Sequence, residues 1–194
     1  MKERLDKTRK VWIISDTHIC HSKLIKEGMR PLDNDARIKR FWQSLVFPND
    51  LIYHLGDVFL GKKKEFVPWI SDLPGIKILF RGNHDKESTQ WYLNKGFAAV
   101  LEHGSIIVKM KVLGGQVEKT RVLLSHKPMP IPEFGDMRTI NIHGHFHNCA
   151  MALCSPTLVR LLTPNHYLFS LENVKWKPQL LDRTFLDGVL LQGE

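Results

Sequence analysis

The sequence has no long hydrophobic run and very few cysteines. No apolar stretch approaches the ~20 residues that a membrane-spanning helix needs, and the first residues are charged where a signal peptide would be apolar. The three cysteines are an odd number without the paired spacing of a zinc ribbon, as expected for reduced thiols inside a cell. These absences predict a cytoplasmic protein with no membrane partner.

Internal repeats and low-complexity linkers are also missing. With 194 residues, 43% of them hydrophobic, the chain can bury one full core, which predicts a single domain over residues 1–194. The formal net charge of +8 favours an anionic partner. Basic stretches at 2–10 and 62–64 could bind a nucleic-acid backbone, but they lack interleaved aromatic residues, so solvated surface is the alternative interpretation.

Strands alternate with helices in the first half of the chain, and the second half is richer in strands. This order predicts an α/β (α+β) fold. Apolar residues recur with helical spacing between 34 and 47, which predicts a helix with Asp33 as its N-cap. The other predicted elements are a helix within 62–73, a helix within 87–95 and a hairpin of 106–112 with 118–124 around Gly114-Gly115.

Five short segments of the chain end in residues that commonly bind metals. Each follows an apolar run of strand character, so its side chains fall where a strand becomes a loop. The segments are Asp16-Thr17-His18, Gly56-Asp57, Gly82-Asn83-His84-Asp85, Ser125-His126 and Gly144-His145-Phe146-His147. We therefore expect their side chains to converge at one edge of a sheet.

The donor types in these segments indicate divalent transition metals. A mixture of hard oxygens and neutral imidazoles suits Mn, Fe, Co, Ni and Zn, whereas an all-oxygen set would favour Mg or Ca. Seven residues are candidate ligands: Asp16, His18, Asp57, Asn83, His126, His145 and His147. Because seven ligands exceed what one closed tetrahedral site can use, two open sites that share a carboxylate are the economical interpretation.

In content, order and spacing, these motifs resemble those of calcineurin-like metallophosphoesterases, in particular the small stand-alone phosphoesterases of bacteria and their viruses. The resemblance runs from about residue 11 to about residue 182. It implies a four-layer αββα sandwich, in which two mixed β-sheets pack face to face with helices outside. It also implies a dinuclear-metal-dependent phosphodiesterase that hydrolyses nucleotide-type or other small phosphoesters with a metal-bridging hydroxide, with Mn as the preferred ion and Fe, Zn, Ni or Co as alternatives.

The resemblance also implies a role for each residue. The ligands divide into two sets with one shared member: Asp16, His18 and His147 for one ion, Asn83, His126 and His145 for the other, and Asp57 for both. His84 would contact the phosphoryl group or the leaving oxygen, and Asp85 would orient His84. His21 would line the substrate side of the site.

The second motif departs from the family pattern. Many relatives have Gly-Asp-x-x-Asp or Gly-Asp-x-x-Asp-Arg-Gly, whereas residues 56–61 here lack both the second Asp and the Arg. This counts against a protein Ser/Thr phosphatase. Arg81 and Lys127 could supply positive charge near the phosphate instead, and a solvated surface cation is the alternative interpretation of each.

Three other functions are compatible with the sequence. A nuclease would need a basic groove that leads to the metals, and its activity would fall steeply with salt. A phosphomonoesterase would use the same metal ligands. A non-catalytic scaffold, as in the retromer subunit that resembles this fold, ranks last because all seven candidate ligands and His84 are present.

Overall fold

The computed structural model describes residues 8–111, 117–131, 137–147, 155–182, 184–186 and 188. Nine strands are found in this part of the chain. In chain order they are β1 Val11–Ile14, β2 Leu51–His54, β3 Ile76–Phe80, β4 Phe97–Leu101, β5 His103–Lys111, β6 Val117–Ser125, β7 Arg138–His143, β8 His166–Leu168 and β9 Gln179–Leu180.

The strands form two mixed sheets. The first sheet has the order β4-β3-β2-β1-β9, with parallel pairs from β1 to β4 and an antiparallel pair between β1 and β9. The second sheet has the order β5-β6-β7-β8, in which β5 is antiparallel to β6 and the other two pairs are parallel. The strands of the predicted hairpin therefore pair as expected, and its turn at Gly114-Gly115 lies outside the described residues.

Five helices have both ends within the described residues: α1 Ser22–Lys26, α2 Asn34–Leu45, α3 Lys63–Ser71, α4 Thr89–Leu93 and α5 Pro156–Val159. Residues 184–186 are also helical. Three of the five lie within the ranges predicted for helices. The longest, α2, stops short of the predicted end at residue 47, because Phe47 precedes Pro48 and the residue before a proline is disfavoured in the helical conformation. No helix of the described segments is long and apolar enough to cross a bilayer.

The expected capping by Asp33 is wrong in one respect. Asp33 occupies the N-cap position, but among the described contacts its side chain makes no capping hydrogen bond. Its carboxylate accepts a hydrogen bond from Arg37 at 2.8 Å instead. The i,i+4 spacing places the Arg37 guanidinium next to the Asp33 carboxylate. This ion pair competes with the capping hydrogen bond for the same carboxylate.

The core lies on both faces of the first sheet. Successive side chains of a strand point to opposite faces, and in β1 Ile13 packs in one apolar cluster with Val122 and Ile140 of the second sheet. Ile14 packs in another cluster, which contains Trp42 of α2. The sheets thus pack face to face with helices against the outer face of the first, which confirms the predicted fold of two mixed sheets flanked by helices.

Candidate metal centre

The five predicted ligand segments meet at one edge of the two sheets. Three of the segments follow the carboxyl ends of β1, β2 and β3, which run parallel in the first sheet. The other two follow β6 and β7, which run parallel in the second. Because parallel strands end at the same edge, residues far apart in sequence are brought together there.

One group of side chains contains Asp16, His18 and His147. Their potential ligand atoms lie within 4.8 Å of one another. His147 Nε2 is 3.1 Å from His18 Nε2 and 3.5 Å from Asp16 Oδ1. These three residues are the set predicted for the first ion.

A second group surrounds His126. Its Nε2 atom lies 2.9 Å from Asn83 Oδ1, 3.1 Å from His145 Nδ1 and 3.4 Å from Asp57 Oδ2. Asp57 Oδ2 is also 3.6 Å from His18 Nε2. The structure therefore brings the second predicted set together and places the Asp57 carboxylate next to both.

The hydrogen bonding of His126 tests whether the second group suits a cation. His126 Nδ1 is 2.8 Å from the carbonyl oxygen of Leu55 and donates to it, so in the neutral ring it is Nε2 that carries the lone pair. That lone pair faces Asn83 Oδ1, which is an acceptor, and His145 Nδ1. Closely spaced acceptors are unfavourable in a buried site unless a donor or a cation lies between them. The donor set is therefore suited to a divalent ion.

Burial keeps two imidazoles of the site neutral. It lowers the pKa of His18 and lowers that of His145 to about 4, where the neighbouring His126 and Lys127 add to the effect. Neutral imidazole is the form that binds metal, so both rings are ready to ligate at neutral pH. Burial raises the pKa of Asp16, and the nearby His126 and His147 oppose that shift.

The backbone of the site is strained at several predicted ligands. Eight non-glycine residues of the described segments have positive φ angles, which most side chains disfavour. Five of the eight are predicted ligands: Asp16 (49°), His18 (43°), Asp57 (55°), His145 (75°) and His147 (51°). Such conformations cost about 1–3 kcal/mol each and concentrate where function requires them. Their concentration here points to a functional site.

Asp85 ties two loops of the site together. Its buried carboxylate accepts hydrogen bonds from the backbone N–H groups of Asp57 (2.8 Å), Val58 (3.0 Å) and Gly82 (2.8 Å) and from the hydroxyl of Tyr92 (3.2 Å). Among the described contacts, none joins this carboxylate to the His84 ring. His84 is held through its backbone N–H, which donates to Asp57 Oδ1 at 2.8 Å. The geometry thus favours an indirect form of the predicted role, in which Asp85 orients His84 through the backbone.

His84 and His21 lie beside the first group. The ring centroids of both are 5.5 Å from that of His18. The side chain of His84 belongs to neither group of ligand atoms, so it borders the candidate metals without completing their shell. Both positions are compatible with the predicted contacts to substrate.

An open cavity of about 350 Å³ adjoins the second group. Its lining consists of Arg81, Gly82, Asn83, Glu102, His103, Ser125, His126, Lys127, Pro128 and Met129. Lys127 is exposed at this cavity. The Arg81 guanidinium is held by its own loop, since Nη1 donates to the carbonyl oxygens of Asp85 and Glu87 and Nη2 donates to Thr89 Oγ1. Lys127 is therefore better placed than Arg81 to meet a phosphate.

Sequence reasoning missed the residue that supports this cavity wall. Asn141 is fully buried in β7, and its Oδ1 accepts a hydrogen bond from the backbone N–H of Met129 at 2.9 Å. Its Nδ2 donates to Ser125 Oγ at 3.0 Å. Asn141 lies just before the fifth ligand segment, but a lone amide in an apolar strand carries no motif, so no sequence signal marked it.

Gly144 allows the fifth segment to approach Asp16. A Cβ atom at position 144 would collide with Ser15 Oγ and with Asp16 Oδ2. We expect Gly144→Ala to displace the Asp16 carboxylate and to weaken metal uptake by more than ~10-fold, comparable to the loss of an outer-shell contact. Gly188→Ala is the matched control, because a Cβ there meets nothing within 4 Å. Metal content after dialysis, with circular dichroism to verify folding, measures the effect, and wild-type uptake would contradict it.

Two mixed sheets whose strands end in these Asp and His groups are the architecture of a metal-dependent phosphoesterase. The family model for calcineurin-like phosphoesterases matches residues 9–179. The chain belongs to this family. Its members generally bind divalent metals, and the Asp and His groups described above could hold them.

One phage protein and one solved structure are similar to this chain. The chain is 33% identical over 161 residues to the Gene 66 protein of Mycobacterium phage L5, a match that covers 71% of this chain and 77% of the phage protein. It is also similar to the crystal structure of a protein of unknown function, AQ665, from Aquifex aeolicus. That likeness has a TM-score of 0.62 and 24% identity and covers 94% of this chain and 100% of the other. It shows the fold alone.

Proposed function

We propose that this protein is a dinuclear-metal-dependent phosphodiesterase that hydrolyses nucleotide-type or other small phosphoesters. The observation that carries the proposal is the position of Asp57 Oδ2, 3.6 Å from His18 Nε2 and 3.4 Å from His126 Nε2. A carboxylate next to two ligand groups suits two ions that share it. When bound, such ions, with Mn preferred over Fe, Zn, Ni or Co, would act as Lewis acids that activate water and neutralise phosphoryl oxygens.

In this proposal the residues of the site have separate roles. One ion would be held by Asp16, His18 and His147, the other by Asn83, His126 and His145, and Asp57 would serve both. The ring of His84 faces the reacting phosphoryl group and, when protonated, donates to the leaving oxygen. Asp85 keeps the backbone around His84 in place through its hydrogen bonds to the two loops. His21 borders the substrate on the side of the first ion.

The cavity next to Asn83 and His126 supports a diester substrate. Its volume of about 350 Å³ gives room for a substituent of nucleoside size on the phosphate. Pro128 and Met129 provide an apolar wall, and Lys127 provides a positive charge at the same wall. A phosphodiester with one substituent in this cavity would bring its phosphorus next to Asn83 and His126, which line the cavity. Arg81 also lines this cavity, where its guanidinium is held by its loop and lies 3.5 Å from Glu102 Oε1.

A comparison of two aryl substrates tests the proposed reaction. We expect initial rates on bis(p-nitrophenyl) phosphate to exceed those on p-nitrophenyl phosphate after metal removal and reloading with Mn. Lys127→Gln should raise KM for the diester by about threefold to fivefold, the effect of removing one exposed charge pair. Lys109→Gln, at an exposed position far along β5 from the cavity, should leave KM unchanged. A monoester preference would favour phosphomonoesterase activity instead.

The net charge of +8 is compatible with the alternative function, a nuclease. One observation weakens this alternative: Lys63 of the 62–64 stretch is paired with Glu87 at 2.7 Å. Residues 2–7 of the other basic stretch lie outside the described residues. A nuclease would lose activity steeply between low and moderate salt, whereas hydrolysis of a small ester would change little. We further propose that residues 1–194 act as one domain in the cytoplasm without a membrane partner.

A further inference from the structure

A buried ion pair lies directly behind His147. Arg30, only 4% exposed, follows α1, and Glu172 follows β8, so both come from segments outside the predicted motifs. Arg30 Nη2 is 2.9 Å from Glu172 Oε1, and Arg30 Nε is 3.0 Å from the same oxygen. Burying a guanidinium costs free energy unless the group is fully paired, so we expect this ion pair to have a structural or functional role.

Arg30 also holds the strained loop after β1. Its Nη1 donates to the carbonyl oxygen of Thr17 at 2.8 Å, and its Nη2 donates to that of Asp16 at 2.7 Å. The loop includes Asp16 and His18, both with positive φ. Since such a backbone persists only where its surroundings impose it, Arg30 is a direct source of that constraint.

Glu172 faces the nitrogen of His147 that points away from the candidate metal. Glu172 Oε1 lies 3.5 Å from His147 Nδ1, and Ser170 Oγ donates to Glu172 Oε2 at 2.6 Å, which fixes the carboxylate. Arg30 Nη2 lies 3.2 Å from the same His147 nitrogen. Without Glu172, an uncompensated guanidinium would thus stand beside a ligand of the first ion.

Taken together, these contacts link one ion pair to three ligand residues. We propose that Arg30 and Glu172 are positioning residues for the first metal ion: they hold the Asp16–His18 loop and the His147 ring, and Glu172 neutralises the cation that would repel the ion. The proposal rests on the proposed dinuclear function. Carboxylate partners of ligating histidines commonly support metal affinity, and their loss costs 10–100-fold.

Manganese titration of the metal-free protein by calorimetry tests this proposal. The wild type should bind two ions. Glu172→Gln should bind one ion with wild-type affinity and the other ~10–100-fold more weakly. Ser170→Ala, a milder change that only loosens the Glu172 carboxylate, should weaken the same ion by a smaller factor. Asp33→Asn is the matched control, because it removes the carboxylate of an exposed ion pair with Arg37 and should leave both affinities unchanged.

The outcomes separate this proposal from the proposed function. A wild type that binds fewer than two ions would refute the dinuclear function. A wild type with two ions and a Glu172→Gln variant with the same two affinities would overturn the positioning role. Equal weakening of both ions in Glu172→Gln and Ser170→Ala would also overturn it, because a general loss of structure would not select one ion.

Discussion

Replacing Asp57 with Asn should remove or distort both metal positions and lower turnover by more than ~100-fold, beyond the usual effect of an outer-shell change. The reason is the position of Oδ2, which lies within 3.6 Å of His18 Nε2 and within 3.4 Å of His126 Nε2. Asn has the shape of Asp, and its Oδ1 can still accept the hydrogen bond from the backbone of His84. The substitution therefore removes the negative charge while it preserves the loop. Metal content by mass spectrometry and turnover on the diester measure the two effects.

A residue predicted to bind only one of the two ions provides the control for Asp57→Asn. Replacing His145 with Gln should weaken mainly the second ion, because its ring nitrogen Nδ1 lies 3.1 Å from His126 Nε2, whereas the backbone N–H that donates to Asp16 is kept. If Asp57→Asn lost one ion and kept the other at full affinity, Asp57 would be an ordinary ligand of one site. The interpretation of two ions that share this carboxylate would then be wrong.

The sequence was sufficient to predict the sheet edge at which the site lies. Each ligand segment follows an apolar strand, and parallel strands necessarily bring their carboxyl ends together. The pairing of Val11 with Leu51 and of Leu51 with Ile76 places the first three segments side by side. For these three segments, local pattern and elementary strand geometry were enough. Their approach to the two segments of the second sheet, as in the contact of Asp57 with His126, depends on how the sheets pack against each other.

The supporting residues could not be predicted in the same way. Arg30 and Glu172 are 142 positions apart, and neither lies in a repeating pattern or a motif. Their partnership depends on how the segment after β8 packs against the loop after α1, which is a tertiary property. Asp33 occupies the predicted N-cap position, but its capping hydrogen bond is missing among the described contacts for a related reason: two local partners competed for one carboxylate, and sequence spacing alone did not rank them.

His84→Asn should retain both ions and lose about 10²- to 10⁴-fold in turnover, the usual contribution of a positioned general acid. The ring lies beside His18 but outside both groups of ligand atoms, and the backbone N–H that contacts Asp57 is unaffected by the change. Because nitrophenolate leaves readily without a proton, the loss should be larger for an alkyl diester than for bis(p-nitrophenyl) phosphate. Metal content and both rates are measured on the same preparation. An equal loss on both substrates would assign His84 to binding the phosphoryl group, and loss of metal would place it among the ligands.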